Sequence, residues 1–113
     1  MKYDYVPGEW DLSYYQNVYA DVPGSAEMPS AGRHFTRELL GDLRAAGILT
    51  ASLVLHTGVS SIDITEEQVE QHRMYDEWYQ LSAPAAAAIN AARAAGGRVV
   101  AIGTTVVRTL ETQ

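Results

Sequence analysis

The stretch RVVAIGTTVVRTLETQ, residues 98–113, decides how the fold is predicted. It begins with an apolar run at 99–102, which is typical of a buried strand. A turn of glycine and two threonines follows at 103–105, and the residues after it, including Arg108, favour a helix. Because α/β proteins bind ligands at such turns, where a strand gives way to a helix, we predict a ligand-binding turn here.

Outward from this stretch, the chain alternates between strand-like and helix-like segments. Thr36 can cap a helix over 35–46, and Ser82 can cap another over 82–95; a glycine follows each of them. A short helix at 65–71 is indicated by Thr65. Strands are predicted at 14–20, 51–56, 74–81 and 98–102. The alternation predicts an α/β fold with largely parallel strand pairing.

The organisation of the chain is predicted in two parts. Its 113 residues suit one domain or a portion of a larger one, and 47% of them are hydrophobic, enough to form a core. Residues 1–28, rich in tyrosine, proline and glycine, indicate an irregular arm with one strand, and 29–113 an α/β portion. The sequence stops within an apparently helical segment, so we expect a fold that is incomplete on its own and a fragment of a longer protein.

Charge and composition narrow the function classes. The net charge is −6, the acids cluster and the arginines are scattered, so the chain alone is a poor nucleic-acid binder. No apolar run reaches the roughly 18 residues that cross a membrane, and no signal peptide is visible. There is no cysteine, hence no disulfide framework or thiolate metal site. A cytoplasmic location is the expected one.

Several residues could carry chemistry, and each also has a purely structural explanation. His56 ends a predicted strand, where α/β sites collect, and His34 precedes a predicted helix start. Arg108 could bind a carboxylate or a phosphate, or could instead pair with Glu111 one turn later. The spacing of His56, His72 and Glu77 matches no metal motif, so we expect no metal.

Taken together, the motifs resemble those of the S-adenosylmethionine:tRNA ribosyltransferase-isomerase family of queuosine biosynthesis. YQNVYA at 15–20 is similar to the family's YQTVYA, and PSAGRHFT at 29–36 to its PTAGLHFT. LHTG at 55–58 is similar to LHVG, and HRMYDE at 72–77 to HKMHSE. The most specific block is GRVVAIGTTVVRTLE at 97–111, which resembles GRVIAVGTTSVRTLE.

The resemblance implies a reaction and a fold. Family members transfer and isomerise the ribosyl part of S-adenosylmethionine onto a 7-aminomethyl-7-deazaguanine base in tRNA, which gives epoxyqueuosine and releases adenine and methionine. The family fold has a large, barrel-like α/β domain with a smaller β-barrel domain inserted in it. By this resemblance, 1–28 is the return from the inserted domain and 29–113 is a portion of the large domain.

The resemblance also implies site residues. The catalytic candidates are His56, Glu77, His72 and His34, of which we expect His56 and Glu77 to act as acid and base. The substrate-binding candidates are Gly103, Thr104, Thr105 and Arg108. S-adenosylmethionine is then the co-substrate and tRNA the partner. Unpaired sheet edges favour a homodimer, because edge strands seek partners.

Some positions depart from the family pattern. The family's threonine and leucine in PTAGLHFT are replaced by Ser30 and Arg33, and LGTF after LHVG is replaced by VSSI at 59–62. Tyr75 stands in place of the second histidine of HKMHSE, and Val106 in place of the serine of GTTSVRT. These changes leave two alternatives to a transferase of the usual kind: a relative that uses S-adenosylmethionine on a small-molecule acceptor, and a non-catalytic fragment or binding module. By itself the chain is expected to be inactive.

Overall fold

The fold was analysed in a computed structural model that describes residues 8–58, 66–72 and 74–113. Its elements form a mixed helix and strand structure, consistent with the predicted α/β class. There are two compact units. The first comprises 8–23 and Met28–Thr50; the second comprises Gly24–Glu27 and the described part of Ala51–Gln113. The predicted boundary between 28 and 29 stays a prediction.

The three predicted helices that begin at a cap or a glycine turn are confirmed. Helix α1 is Arg37–Ala45, α2 is Ala83–Ala94 and α3 is Thr104–Glu111. The Thr36 hydroxyl accepts a hydrogen bond from the Leu39 amide at 3.1 Å, and the Ser82 hydroxyl accepts one from the Ala85 amide at 3.3 Å. Each side chain satisfies a main-chain donor that has no partner within the helix, as the sequence signals predicted.

The strands are shorter than predicted and pair differently. Strand β1 is Val54–Leu55 and β2 is Tyr79–Gln80, instead of 51–56 and 74–81. Val54 faces Gln80 in an antiparallel pair, so the prediction of largely parallel pairing is wrong for the described residues. Parallel strands are usually joined by a crossover helix, and among the described residues between β1 and β2 no α-helix is present. Where a short helix was predicted, the described residues form only a three-residue 3-10 turn, Val69–Gln71. The predicted helix start at Thr65 lies outside the described residues.

Two further strand predictions are wrong. Within 14–20, the structure has the end of a 3-10 helix, Leu12–Tyr15, followed by a turn. The Asp11 carboxylate accepts from the Ser13 amide at 2.9 Å, and these local bonds outcompete the strand preference of the tyrosines. Segment 98–102 forms no ladder with any described residue, because a strand exists only where a partner supplies hydrogen bonds.

Little of the described chain is fully buried. Gly32 is buried in the first unit, and Ala85 and Thr109 are buried in the second. Thr109, on α3, has no exposed surface, and its hydroxyl donates to the Thr105 carbonyl at 3.0 Å, so the buried polar group is satisfied. Helix α3 packs against β1, which brings the C-terminal motif next to the small sheet.

Candidate functional site

Arg108 and Glu77 join two motifs that lie far apart in the sequence. Arg108 lies on α3, and Glu77 lies just before β2. The guanidinium donates through Nη1 to Glu77 Oε2 and through Nη2 to the main-chain carbonyl of Tyr75. The two side chains are 31% and 15% exposed. Glu77, and not Glu111, is the carboxylate paired with Arg108, so the block at 72–77 meets the block at 97–111.

His56 directly follows β1 and lies against Trp78. The His56 amide donates to the Trp78 carbonyl at 2.9 Å, which extends the antiparallel ladder by one bond. The imidazole and indole rings are stacked, with centroids 5.0 Å apart and planes inclined by 17°. Both contacts fix the histidine at the edge of the sheet, where the sequence predicted a functional group.

The neighbouring Thr57 anchors a distant loop beside the imidazole. The Thr57 amide donates to the Ser25 hydroxyl at 3.1 Å, and the two hydroxyl oxygens lie 2.7 Å apart. The Ala26 amide donates to the Thr57 carbonyl at 3.0 Å. These bonds join residues more than 30 positions apart in the sequence and hold the loop at Gly24–Glu27 in the second unit.

His72 is held by an acidic partner. Its Nδ1 lies 3.0 Å from Glu66 Oε2, and the two side chains are 20% and 25% exposed. A histidine that donates from Nδ1 to a carboxylate has its ring orientation and tautomer fixed, which leaves Nε2 to exchange a proton. This pair can therefore act as an oriented acid or base.

The predicted binding turn opens helix α3. Gly103 is its N-cap residue, with φ of 99°, a conformation that residues with a Cβ rarely adopt. No side chain caps this end. Thr104 is exposed and Thr105 is half-buried. An uncapped helix start presents main-chain N–H groups and the positive end of the helix dipole, which together suit an anionic group.

His34 belongs to the first unit and is described apart from the other candidates. It is exposed and follows the 3-10 helix Ser30–Gly32. Gly32 is buried there, and a Cβ at this position would overlap the Tyr19 ring and the Asn17 amide. The Asn17 amide also donates to the Pro29 carbonyl at 3.0 Å. The block PSAGRHFT thus has a packing reason for its glycine, whereas no described contact assigns a role to His34.

Three participants were missed by the sequence reasoning: Glu66, Trp78 and Gly24. Glu66 reaches His72 across the 3-10 helix Val69–Gln71, which is too short to leave a periodic pattern in the sequence. Trp78 lay within a predicted strand and was not linked to His56.

In the described part of the chain, no group of three or more histidine, aspartate or glutamate side chains could hold a metal ion. Nor does any described helix have the length and apolarity to cross a membrane.

Comparisons with known proteins agree with the motifs. The family model described as "Queuosine biosynthesis protein" matches residues 2–113. Among curated proteins, the chain is 53% identical over 103 residues to the S-adenosylmethionine:tRNA ribosyltransferase-isomerase of Moorella thermoacetica. It is 48% identical to the protein of that name from Caldanaerobacter subterraneus subsp. tengcongensis, and 47% to that from Phenylobacterium zucineum. No solved structure gives a significant match.

The alignments cover most of this chain but a minority of each relative. They include 90% of the chain and 30% of the Moorella protein, and 91% of the chain and 29% of the Phenylobacterium protein. The chain thus spans about a third of the length of the curated relatives it matches. The family match covers nearly all of its residues, and the resemblance stated from the motifs is confirmed. The chain belongs to the queuosine biosynthesis protein family.

Proposed function

We propose that the chain carries part of the S-adenosylmethionine site of a tRNA ribosyltransferase-isomerase. The observation that supports this most is the contact between Arg108 and Glu77, which joins the motif at 72–77 to the motif at 97–111 within one compact unit. The curated relatives bear the name of that enzyme. In the complete protein we expect this unit to lie in a barrel-like large domain.

His56 and Glu77 are proposed as the acid and base groups. Removing a proton from the carbon beside a sulfonium needs a base, and losing adenine needs proton delivery at the purine. Glu77 is paired with a guanidinium, and in its ionised form it can accept a proton but has none to donate. This favours Glu77 as the base and His56 as the acid. His72, oriented by Glu66, is the further proton carrier, and His34 stays a candidate in the first unit.

The start of α3 is proposed to bind the substrate. Thr104 and Thr105 supply hydroxyl groups, and the N–H groups at the uncapped helix start suit the carboxylate of the methionine moiety. Because Arg108 already holds Glu77 and the Tyr75 carbonyl, it can reach a substrate carboxylate only with its remaining N–H donors. Its first role is to orient Glu77.

The proposed partner of the complete protein is tRNA, and a cytoplasmic location follows from that substrate. The net charge of −6 favours a second candidate for this chain taken alone, a relative that transfers to a small-molecule acceptor. Filter binding of tRNA over a series of salt concentrations distinguishes these two candidate functions. Salt-sensitive tRNA binding supports the transferase, whereas binding of the free deazaguanine base without tRNA binding supports the second candidate.

Calorimetric titration with S-adenosylmethionine tests the proposal. We expect binding by the 113-residue chain, weakened by about thirtyfold when Thr104 and Thr105 are both changed to valine, because each of the two lost hydrogen bonds costs about 1 kcal/mol. Thr112→Val is the matched control, since Thr112 lies at the other end of α3 and donates to the Arg108 carbonyl at 2.7 Å. Absence of binding, or equal weakening in both variants, would contradict the proposal and favour a non-catalytic module.

A further inference from the structure

Two residues lie close to the imidazole of His56. The Trp78 indole stacks on it, with centroids 5.0 Å apart. Gly24 approaches so closely that a Cβ built on it would lie 2.8 Å from Cε1, 2.9 Å from Nε2 and 3.0 Å from Nδ1. Cβ contacts under 3.0 Å are essentially never seen, so an alanine at this position would have to displace the ring.

These two residues are themselves fixed. Trp78 is tied to His56 by the main-chain bond at 2.9 Å and is followed directly by β2. Gly24 precedes Ser25, whose hydroxyl accepts from the Thr57 amide at 3.1 Å. The imidazole therefore has little freedom to rotate. A flip or a tilt of the ring would bring it against a neighbour that is anchored by hydrogen bonds.

The two ring nitrogens are not equivalent. Nδ1 is the one side-chain polar atom, among those of the described residues, that is both buried and without a hydrogen-bond partner. Nε2 of the same ring does not combine burial with the lack of a hydrogen-bond partner. A buried nitrogen without a partner cannot pass a proton to solvent or substrate, so proton exchange is left to Nε2.

We propose that Trp78 and the Gly24 backbone form a clamp that holds His56 in one orientation with Nε2 as its working nitrogen. The clamp makes Trp78 a positioning residue, acting through His56 without touching the substrate. This inference rests on the proposed function in one respect only, that His56 exchanges a proton during the reaction. The contacts that form the clamp belong to the free chain and need no substrate.

Ring signals of His56 in proton NMR spectra of the 113-residue chain test the clamp. Stacking on an indole moves the imidazole protons upfield; we expect this shift in the wild type and in Trp78→Phe, which keeps an aromatic face. Trp78→Leu keeps apolar bulk but removes the face, so the signals should move to unstacked positions. Trp10→Leu is the matched control: the Trp10 ring lies against Tyr14 in the first unit, with centroids 5.1 Å apart and planes inclined by 60°, and its loss should leave His56 unchanged.

Unchanged His56 signals in Trp78→Leu would overturn the clamp, as would an equal change in Trp10→Leu. If Trp78→Leu does not fold, Gly24→Ala and the wild type decide instead. If the ring is clamped, nuclear Overhauser contacts join the imidazole and the indole in the wild type. In Gly24→Ala the added methyl group displaces the ring, so these contacts should weaken. Absence of those contacts overturns the inference.

Addition of S-adenosylmethionine separates this inference from the proposed function. If both hold, the ligand shifts the His56 ring signals in the wild type and in Trp78→Phe but not in Trp78→Leu, whose ring is no longer held. If the wild type does not respond to the ligand, the proposed function fails, while the ring positions in the free chain still decide the clamp.

Discussion

Arg108 on α3 donates to the carboxylate of Glu77, 31 positions earlier, and to the carbonyl of Tyr75 beside it. The contact joins the C-terminal helix to the segment that leads into β2. Since the same guanidinium satisfies a carboxylate and a main-chain oxygen, its loss would leave two acceptors without their donor. The pair is therefore both a structural link and the feature that assembles the proposed site.

A double-mutant cycle measures this link. We expect Arg108→Gln and Glu77→Gln each to lower the free energy of unfolding, with a coupling of about 1–2 kcal/mol, since the charged hydrogen bond is largely shielded from water. Urea unfolding of the two single variants and the double variant gives the value. Arg98→Gln, at an exposed position, is the control and should change stability by less than about 0.5 kcal/mol. Additive effects of the two single changes would show that the pair contributes nothing.

Two glycine substitutions should act in opposite directions. Gly96, after α2, has φ of 75°, so Gly96→Ala forces a left-handed alanine and should cost about 1–2 kcal/mol. Gly41, within α1, has open space around it and an ordinary φ, so Gly41→Ala should stabilise by about 0.5–1 kcal/mol. Urea unfolding of both variants measures the two changes. Effects of the same sign would contradict the described conformations.

The start of α1 should respond to acid. Hydrogen bonds from the main-chain amide of Glu38 itself, and then from the Thr36 hydroxyl, hold the pKa of the Glu38 carboxyl below its usual 4.5. A lowered folded pKa means that the stabilising effect is complete above 4.5 and is lost as the pH falls through the folded pKa. Amide NMR signals at Thr36 and Leu39 should report this loss. Glu38→Gln should abolish that pH dependence, and an unchanged profile in this variant would contradict the assignment.

Self-association is the expected behaviour of the segment 98–102, which has no ladder partner among the described residues. Val100 is 72% exposed there, and an exposed apolar edge recruits a second chain. Sedimentation at increasing concentration should show a dimer that Val100→Lys shifts to monomer. Val22→Lys, at a 53% exposed position of the first unit, is the control. A monomer at all concentrations, or equal effects of both variants, would exclude pairing through this segment.

The helices could be predicted because their signals are local. Thr36 and Ser82 cap α1 and α2 from the adjacent position, and Gly47 and Gly96 end them with positive φ. These interactions depend only on residues within a few positions of each other. The strands depend on partners elsewhere in the chain, so the preference at 14–20 yielded to local side-chain hydrogen bonds and that at 98–102 found no ladder.

The motifs supplied the residues of the candidate site, whose roles stay predictions, but the contacts between these residues could not be predicted. Motifs indicated His56, Glu77 and Arg108, yet only the folded chain brings Glu77 to Arg108 and His56 to Trp78. The Glu66 partner of His72 gave no signal, because the contact closes across the 3-10 helix Val69–Gln71, which is too short to leave a periodic pattern in the sequence. Tyr75 contributes through its carbonyl, which every residue type has, so its side chain carried no information.

The central claim is that the motifs at 72–77 and 97–111 form one ligand site in the second unit. A residue-resolved NMR titration with S-adenosylmethionine tests it most directly. We expect saturable shifts that cluster at Thr104 and Thr105 and extend to His56 and Glu77, with the first unit largely unaffected. The absence of saturable shifts, or shifts confined to the first unit, would contradict it.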